Sequence, residues 1–236
     1  MNKHTVMLVL AGLLTGCDHP ADPLSFTPEM ASFSNEFDFD PLRGPVKVFS
    51  QTLFNEKGEV AKRVNGEMSA EGCFDSLELH DVESNSGIAL VLDANYYLDA
   101  ETRQKKLRLQ GKCQLAELPA SGISWDTDDN GFIVSAHGKD MDVKYRYDAD
   151  GYPLGKTTVS GEQNLSISAT PSTDKRKKLD YTAISVLNEK PLGKVKQTCE
   201  YDSHDNPLSC ELLIVDESVK PVVERKYTIK NSIEYY

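Results

Sequence analysis

Five cysteines, Cys17, Cys73, Cys113, Cys199 and Cys210, divide by setting into two chemistries. Cys17 directly follows an apolar run, where a thiol can become a thioether at a membrane surface. The other four make an even number, which in an exported chain reads as two disulfides with three possible connectivities. Cys199 and Cys210 flank a predicted turn, which favours their pairing and leaves Cys73 for Cys113. A third chemistry attaches to Asp126-Thr127-Asp128-Asp129-Asn130-Gly131, where Asp126, Asp128 and Asn130 stand at the alternate places of a calcium loop. The place for its closing glutamate holds His137, and the segment reads more simply as an acidic hairpin turn, so no metal is expected. His80, His137 and His204 are scattered. No G-x-S-x-G, H-E-x-x-H or Gly-rich phosphate loop is present, and no spacing singles out a carboxylate pair for glycoside hydrolysis. The expectation is a chain with no catalytic residue and no cofactor.

The elements that position Cys17 come first in the chain. Met1-Asn2-Lys3-His4 is a short basic start, and Val6 to Leu14 is an apolar run. That run is too short for a bilayer, which needs roughly 20 apolar residues in a helix, and has the length of a signal-peptide core. It ends in Leu14-Thr15-Gly16-Cys17, which resembles the bacterial lipobox. The implied product loses residues 1–16 as signal peptide. It carries diacylglyceryl on the Cys17 thiol and a further acyl chain, such as palmitate, on its amine. Each buried methylene contributes about 0.8 kcal/mol, so three chains make a durable anchor. Asp18 resembles the enterobacterial signal for retention in the inner membrane, with the protein facing the periplasm. Residues 17–44, rich in proline and acid, read as a lipidated N-terminus and tether. The phenylalanines of Asn35-Glu36-Phe37-Asp38-Phe39-Asp40 are expected to dock on the domain.

The formal charge is -11, and loss of Lys3 with the signal takes it from -11 to -12. Such a chain repels nucleic acid. The one dense basic run, Lys175-Arg176-Lys177-Lys178, fits either a solvated hairpin tip or a contact with anionic headgroups.

From residue 45 to 236 the chain reads as a single β domain. In Met141-Asp142-Val143-Lys144-Tyr145-Arg146-Tyr147 the apolar and charged residues alternate, as they do around Leu107, Leu109, Cys113 and Leu115. Val223, Arg225, Tyr227 and Ile229 mark a last strand. A period of two means strands with one buried face, and no stretch of comparable length holds a helical period. The turns repeat: Tyr147-Asp148-Ala149-Asp150-Gly151, Tyr201-Asp202-Ser203-His204-Asp205 and, more loosely, Phe54-Asn55-Glu56-Lys57-Gly58. Each pairs an aromatic strand end with an Asx residue that bonds the turning backbone. The fold class is all-β, an antiparallel meander of hairpins forming a curved sheet, a sandwich or an open barrel.

The lipobox, Leu24-Ser25-Phe26-Thr27-Pro28-Glu29-Met30, Pro41-Leu42-Arg43-Gly44-Pro45, Leu90-Val91-Leu92-Asp93-Ala94-Asn95-Tyr96-Tyr97 and Cys199-Glu200-Tyr201-Asp202-Ser203-His204 together resemble the enterobacterial YnfC lipoprotein family. The resemblance covers the whole mature chain. It implies an inner-membrane lipoprotein with no assigned activity, and only the lipidated Cys17 carries over by position. The leading expectation is a non-enzymatic β domain that binds an envelope protein or cell-wall partner. Its alternative is a binder of a small apolar or lipid ligand within a curved sheet, which requires a cavity of roughly 300 Å³ or more. An envelope hydrolase comes third.

Overall fold

The computed structural model describes residues 22–236; the signal segment 1–16, Cys17 and Asp18 lie outside them. One α-helix, α1 (Pro28–Phe37), precedes sixteen strands. The first eight are β1 (Val46–Phe54), β2 (Val60–Met68), β3 (Phe74–Asp81), β4 (Ser86–Asp93), β5 (Tyr96–Asp99), β6 (Lys105–Gln110), β7 (Gln114–Leu118) and β8 (Ile123–Thr127). Then come β9 (Ile133–Gly138), β10 (Met141–Tyr147), β11 (Pro153–Ser160), β12 (Gln163–Pro171), β13 (Tyr181–Leu187), β14 (Lys190–Tyr201), β15 (Pro207–Asp216) and β16 (Val223–Tyr235). Every strand pairs antiparallel with its sequence neighbour, and β1 pairs with β16 to close the sheet into a barrel. The meander is as expected. Of the three expected architectures a barrel is realised, and it is closed, which leaves no sheet edge exposed.

Alternation decides which side of the sheet meets water. On β10 Val143 and Tyr145 are buried while Asp142, Lys144 and Arg146 are exposed. On β3 Leu77 and Leu79 point in, and Asp75, Glu78 and His80 point out. Lys194, Lys196 and Glu200 of β14 and Lys226 and Lys230 of β16 continue the charged exterior. A lipid-facing barrel would carry an apolar band there. This one is turned the other way.

Four hairpin turns use one device. The side-chain oxygens of Asn55, Asp128, Asp148 and Asp202 each accept hydrogen bonds from the backbone N–H groups two and four residues on. The residue three positions on, Gly58, Gly131, Gly151 or Asp205, takes a positive φ. Asp128 is therefore a turn residue, and Asp126 lies on β8 with its carboxylate bound to Ser135 and His137. No cluster of three or more His, Cys, Asp or Glu suited to a metal occurs among the described residues.

Two expectations need correction. The tether does not extend to residue 44, and the domain does not begin at 45. Phe26, Met30, Phe33 and Leu42 are all buried, and Met30, Phe33 and Leu42 belong to the core shared with Phe49, Phe74, Leu77, Leu90, Leu115 and Trp125. Nor is the segment without a helix. Thr27 caps the first turn by accepting from the Met30 N–H, Pro28 presets the helical φ, and Glu29 suits the positive end of the dipole. Ten residues are too few for a helix stable by itself. This one forms because the barrel surrounds it.

Candidate functional site in the barrel lumen

Helix α1 fills the interior unevenly. Its Met30 and Phe33 pack with the side chains of β1 to β10, and Phe33 sits 4.8 Å from Phe74, ring to ring. Two lysines that point inward from the wall hold the helix end. Lys156 donates to the carbonyls of Asn35 and Glu36 and pairs with the Asp38 carboxylate at 3.2 Å. Lys62 donates to the carbonyls of Asp38 at 2.6 Å and Phe37 at 3.5 Å. Cations there satisfy the last carbonyls and oppose the negative end of the dipole. Burial pushes the Lys62 ammonium below its usual range, against the pull of Asp38, Asp81 and Asp40.

One end of the barrel is stoppered. Arg43 is 1% exposed, its guanidinium bonded to the carbonyls of Leu24 and Lys175 and 4.3 Å from the Phe26 ring. Phe26, Ala31, Tyr152 and Leu179 form a second small core at that end. The basic run is part of the stopper. Lys178 pairs with Asp148 and Asp150, and Arg176 with Asp205, tying the β12–β13 connection to its neighbouring turns. Lys175 pairs with Asp22.

Beside the helix, toward β11 to β16, the lumen holds a cavity of about 360 Å³. Its wall is apolar: Leu53, Val64, Ile167, Ala169, Ala183, Val195, Leu212 and Ile229. Lumen-facing Leu165, Ile214 and Tyr227, nearer the unstoppered rim, are only half-buried, so the cavity meets solvent at that end. Polar groups gather at the base. Gln51 pairs with the backbone of Asp40, accepting from its N–H and donating to its C=O. Gln197 donates through Nε2 to Asp40 Oδ2 at 3.0 Å and to the Leu179 carbonyl at 3.2 Å. That fixes the amide orientation, and Gln197 Oε1 is left buried without a partner. Deep burial raises the Asp40 carboxyl to about 6, although the Gln197 bond and the Lys62 charge work the other way. Burial likewise raises Tyr152 and Tyr181, with the charge of Asp40 contributing to both, so each stays a neutral phenol. None of these residues stood out in the sequence, where Asp40 reads as one acid among many and Gln197 as one polar strand residue.

The histidines lie elsewhere. His204 stacks on Tyr235 at 3.9 Å, and His80 is exposed on β3. His137 stands on the outer face, its Nδ1 2.6 Å from Asp142 and its Nε2 3.0 Å from Asp126 and 3.1 Å from Ser135. The bond to Asp142, and then that to Asp126, holds its pKa above the usual histidine value. Ser135 Oγ donates to Asp126 Oδ2 at 2.8 Å, so its proton is directed at that carboxylate rather than at His137.

Both favoured disulfides are present, Cys73–Cys113 and Cys199–Cys210. Cys199 and Cys210 face each other directly across β14 and β15. Cys113 lies in the β6–β7 turn, so the first bridge ties that turn to the β2–β3 turn at the stoppered end.

Fold and site together define a water-facing β-barrel, stoppered at one end by its own N-terminal helix, with an amphipathic cavity beside the stopper. The chain belongs to the uncharacterised protein family UPF0257, whose family model matches residues 1–236. It is 69% identical over 228 residues to the UPF0257 lipoprotein YnfC of Escherichia coli O157:H7, covering 97% of each chain. It is 65% identical to the protein of the same name from Salmonella typhi, over all of both chains. Among solved structures, a porin-like protein from Bacteroides uniformis aligns over 80% of this chain and 96% of its own, at 9% identity and a TM-score of 0.46. MucA/MucB of Pseudomonas aeruginosa aligns at 10% identity over 87% of this chain and 92% of that one, with a TM-score of 0.16.

Proposed function

We propose that this chain is a lipid-anchored envelope protein that holds a small amphiphile in its barrel lumen. The cavity of about 360 Å³, apolar along its wall and polar at its base, carries the reading. Ligand sites combine that kind of wall with a few placed polar groups, typically at 300–1,000 Å³. At roughly 30 Å³ per water-sized unit the volume suits about a dozen non-hydrogen atoms. That excludes a whole phospholipid and admits one short chain with a head group. The cavity favours the lumenal ligand over the envelope-protein or cell-wall partner expected first, and the chemistry is binding rather than catalysis.

The anchor is Cys17, in the inner membrane with the barrel in the periplasm. The lipobox, Asp18 and the lipoprotein name of the relatives support this. Asp22 meets Lys175 at the stoppered end, and the five residue steps from Cys17 reach at most about 18 Å. The stopper therefore faces the membrane and the cavity mouth faces away from it.

The test is uptake of the environment-sensitive fluorophore 1-naphthylamine, small enough for the cavity, by the Cys17→Ser chain, which keeps every described residue. Saturable, one-to-one enhancement is expected. Ala183→Phe, which fills the wall between Ala169 and Val195, should abolish it. Ile184→Ala, an exposed neighbour on the same strand, should not. Absence of uptake, or uptake unchanged in Ala183→Phe with its circular dichroism intact, refutes the reading.

A further inference from the structure

Resting on that reading, we infer that the cavity selects an amphiphile with a cationic amine head, seated on the carboxylate of Asp40 with its chain along the apolar wall. The base of the cavity centres on one carboxylate oxygen without a donor. Asp40 Oδ2 takes the Gln197 amide, while Oδ1 has no hydrogen bond among the described residues. Gln197 is 2% exposed and also lines the cavity; its Oε1 is inaccessible and unpartnered, as is Nδ2 of Asn35, so both atoms stand behind the surface that a ligand meets. Gln197 Nε2 already faces two acceptors, so a flipped amide would set oxygen against oxygen. Tyr152 and Tyr181 also line the base, and their hydroxyls have no hydrogen bond among the described residues.

The Asp40 carboxylate attracts an ammonium and repels a second carboxylate. A buried acceptor left without a donor forfeits its hydration, and hydrogen bonds between ions are the strong ones. Tyrosine rings add favourable contact for a cation, whose charge their electron-rich faces attract. Lys62 also lines the cavity, but its ammonium is committed to the carbonyls of Phe37 and Asp38, and the Asp38 carboxylate to Lys156. The group left facing the space is Asp40.

Calorimetric titration of the Cys17→Ser chain at pH 7.5 with decylamine, decanol and decanoate tests this. The three probes share one chain length and differ in the head. Decylamine should bind about tenfold tighter than decanol, and decanoate more weakly than either. Asp40→Asn should bring amine and alcohol to within about twofold while alcohol binding persists, which also shows that the variant is folded. Equal affinity for the three heads, tighter binding of decanoate, or an amine preference that survives Asp40→Asn overturns the inference while leaving a lumenal binder in place. Binding of none of them removes the lumenal reading itself.

Discussion

Arg43 and Asn206, 163 residues apart, pair through the backbone of one and the side chain of the other. The Arg43 N–H donates to Asn206 Oδ1 at 2.7 Å, and Asn206 Nδ2 donates to the Arg43 carbonyl at 2.9 Å. Both residues are essentially inaccessible, and Tyr235 accepts the second Nδ2 hydrogen at 2.8 Å. The amide thus stands in for a missing strand, joining the N-terminal stopper to the β14–β15 turn and to the end of β16. Removing it leaves a peptide N–H and a C=O buried without partners. Asn206→Ala should therefore cost about 2–4 kcal/mol in urea unfolding. A change below about 0.5 kcal/mol would show that the stopper is not held at this point.

Asp40 sets a dependence on pH whose sign is unusual for a carboxylate. Its folded pKa of about 6 lies above its ordinary value of 3.8, so the native state binds the proton more tightly than the unfolded chain. Its contribution is greatest below pH 3.8 and is lost as pH rises through 6. Asp40→Asn should stabilise the protein by about 2–3 kcal/mol at pH 8 and change little at pH 3.5. Thermal unfolding of both proteins at the two pH values measures the difference. A gain of equal size at both would separate it from the titration of Asp40.

The disulfides close loops of 40 and 11 residues. By chain entropy they contribute about 4 and 3 kcal/mol, with the longer loop worth more. Denatured, non-reduced protein should show no free thiol from Cys73, Cys113, Cys199 or Cys210. Cys73→Ser with Cys113→Ser should lower stability more than Cys199→Ser with Cys210→Ser. Thiol titration and denaturant midpoints check both statements.

For the anchor, Cys17→Ser should move the protein from the membrane fraction to the soluble periplasmic extract. Unchanged fractionation would falsify the lipid attachment, since the charged outer faces of β3, β10, β14 and β16 offer no apolar surface to hold a bilayer.

Local chemistry was legible in the residues. Alternation at Met141 to Tyr147 declared a strand with one wet face, and Asn55, Asp148 and Asp202 announced their turns because an Asx side chain needs only backbone four residues away. Asp128 follows the same rule in a segment that reads as an acidic hairpin turn, although its opening letters also match a calcium loop. Cys199 and Cys210 were pairable because a predicted turn lay between them. The stopper helix carried a signal, Thr27-Pro28-Glu29 and then Met30, Phe33 and Phe37 at helical spacing. It is ten residues long and set in a segment rich in proline and acid.

Closure and the cavity belonged to the tertiary structure alone. Phe49 meets Ile233, and Leu53 meets Ile229, across a seam that joins the first strand to the last. Nothing within reach of either end encodes that register, because loop closure over such a distance is decided by the whole chain. Closing the sheet gives a short helix an interior to fill, and filling it unevenly leaves the cavity. Asp40 and Gln197, 157 residues apart, acquire a role only there. Their sequence determined that each is polar; burial at the base of an apolar cavity determines what that polarity can bind.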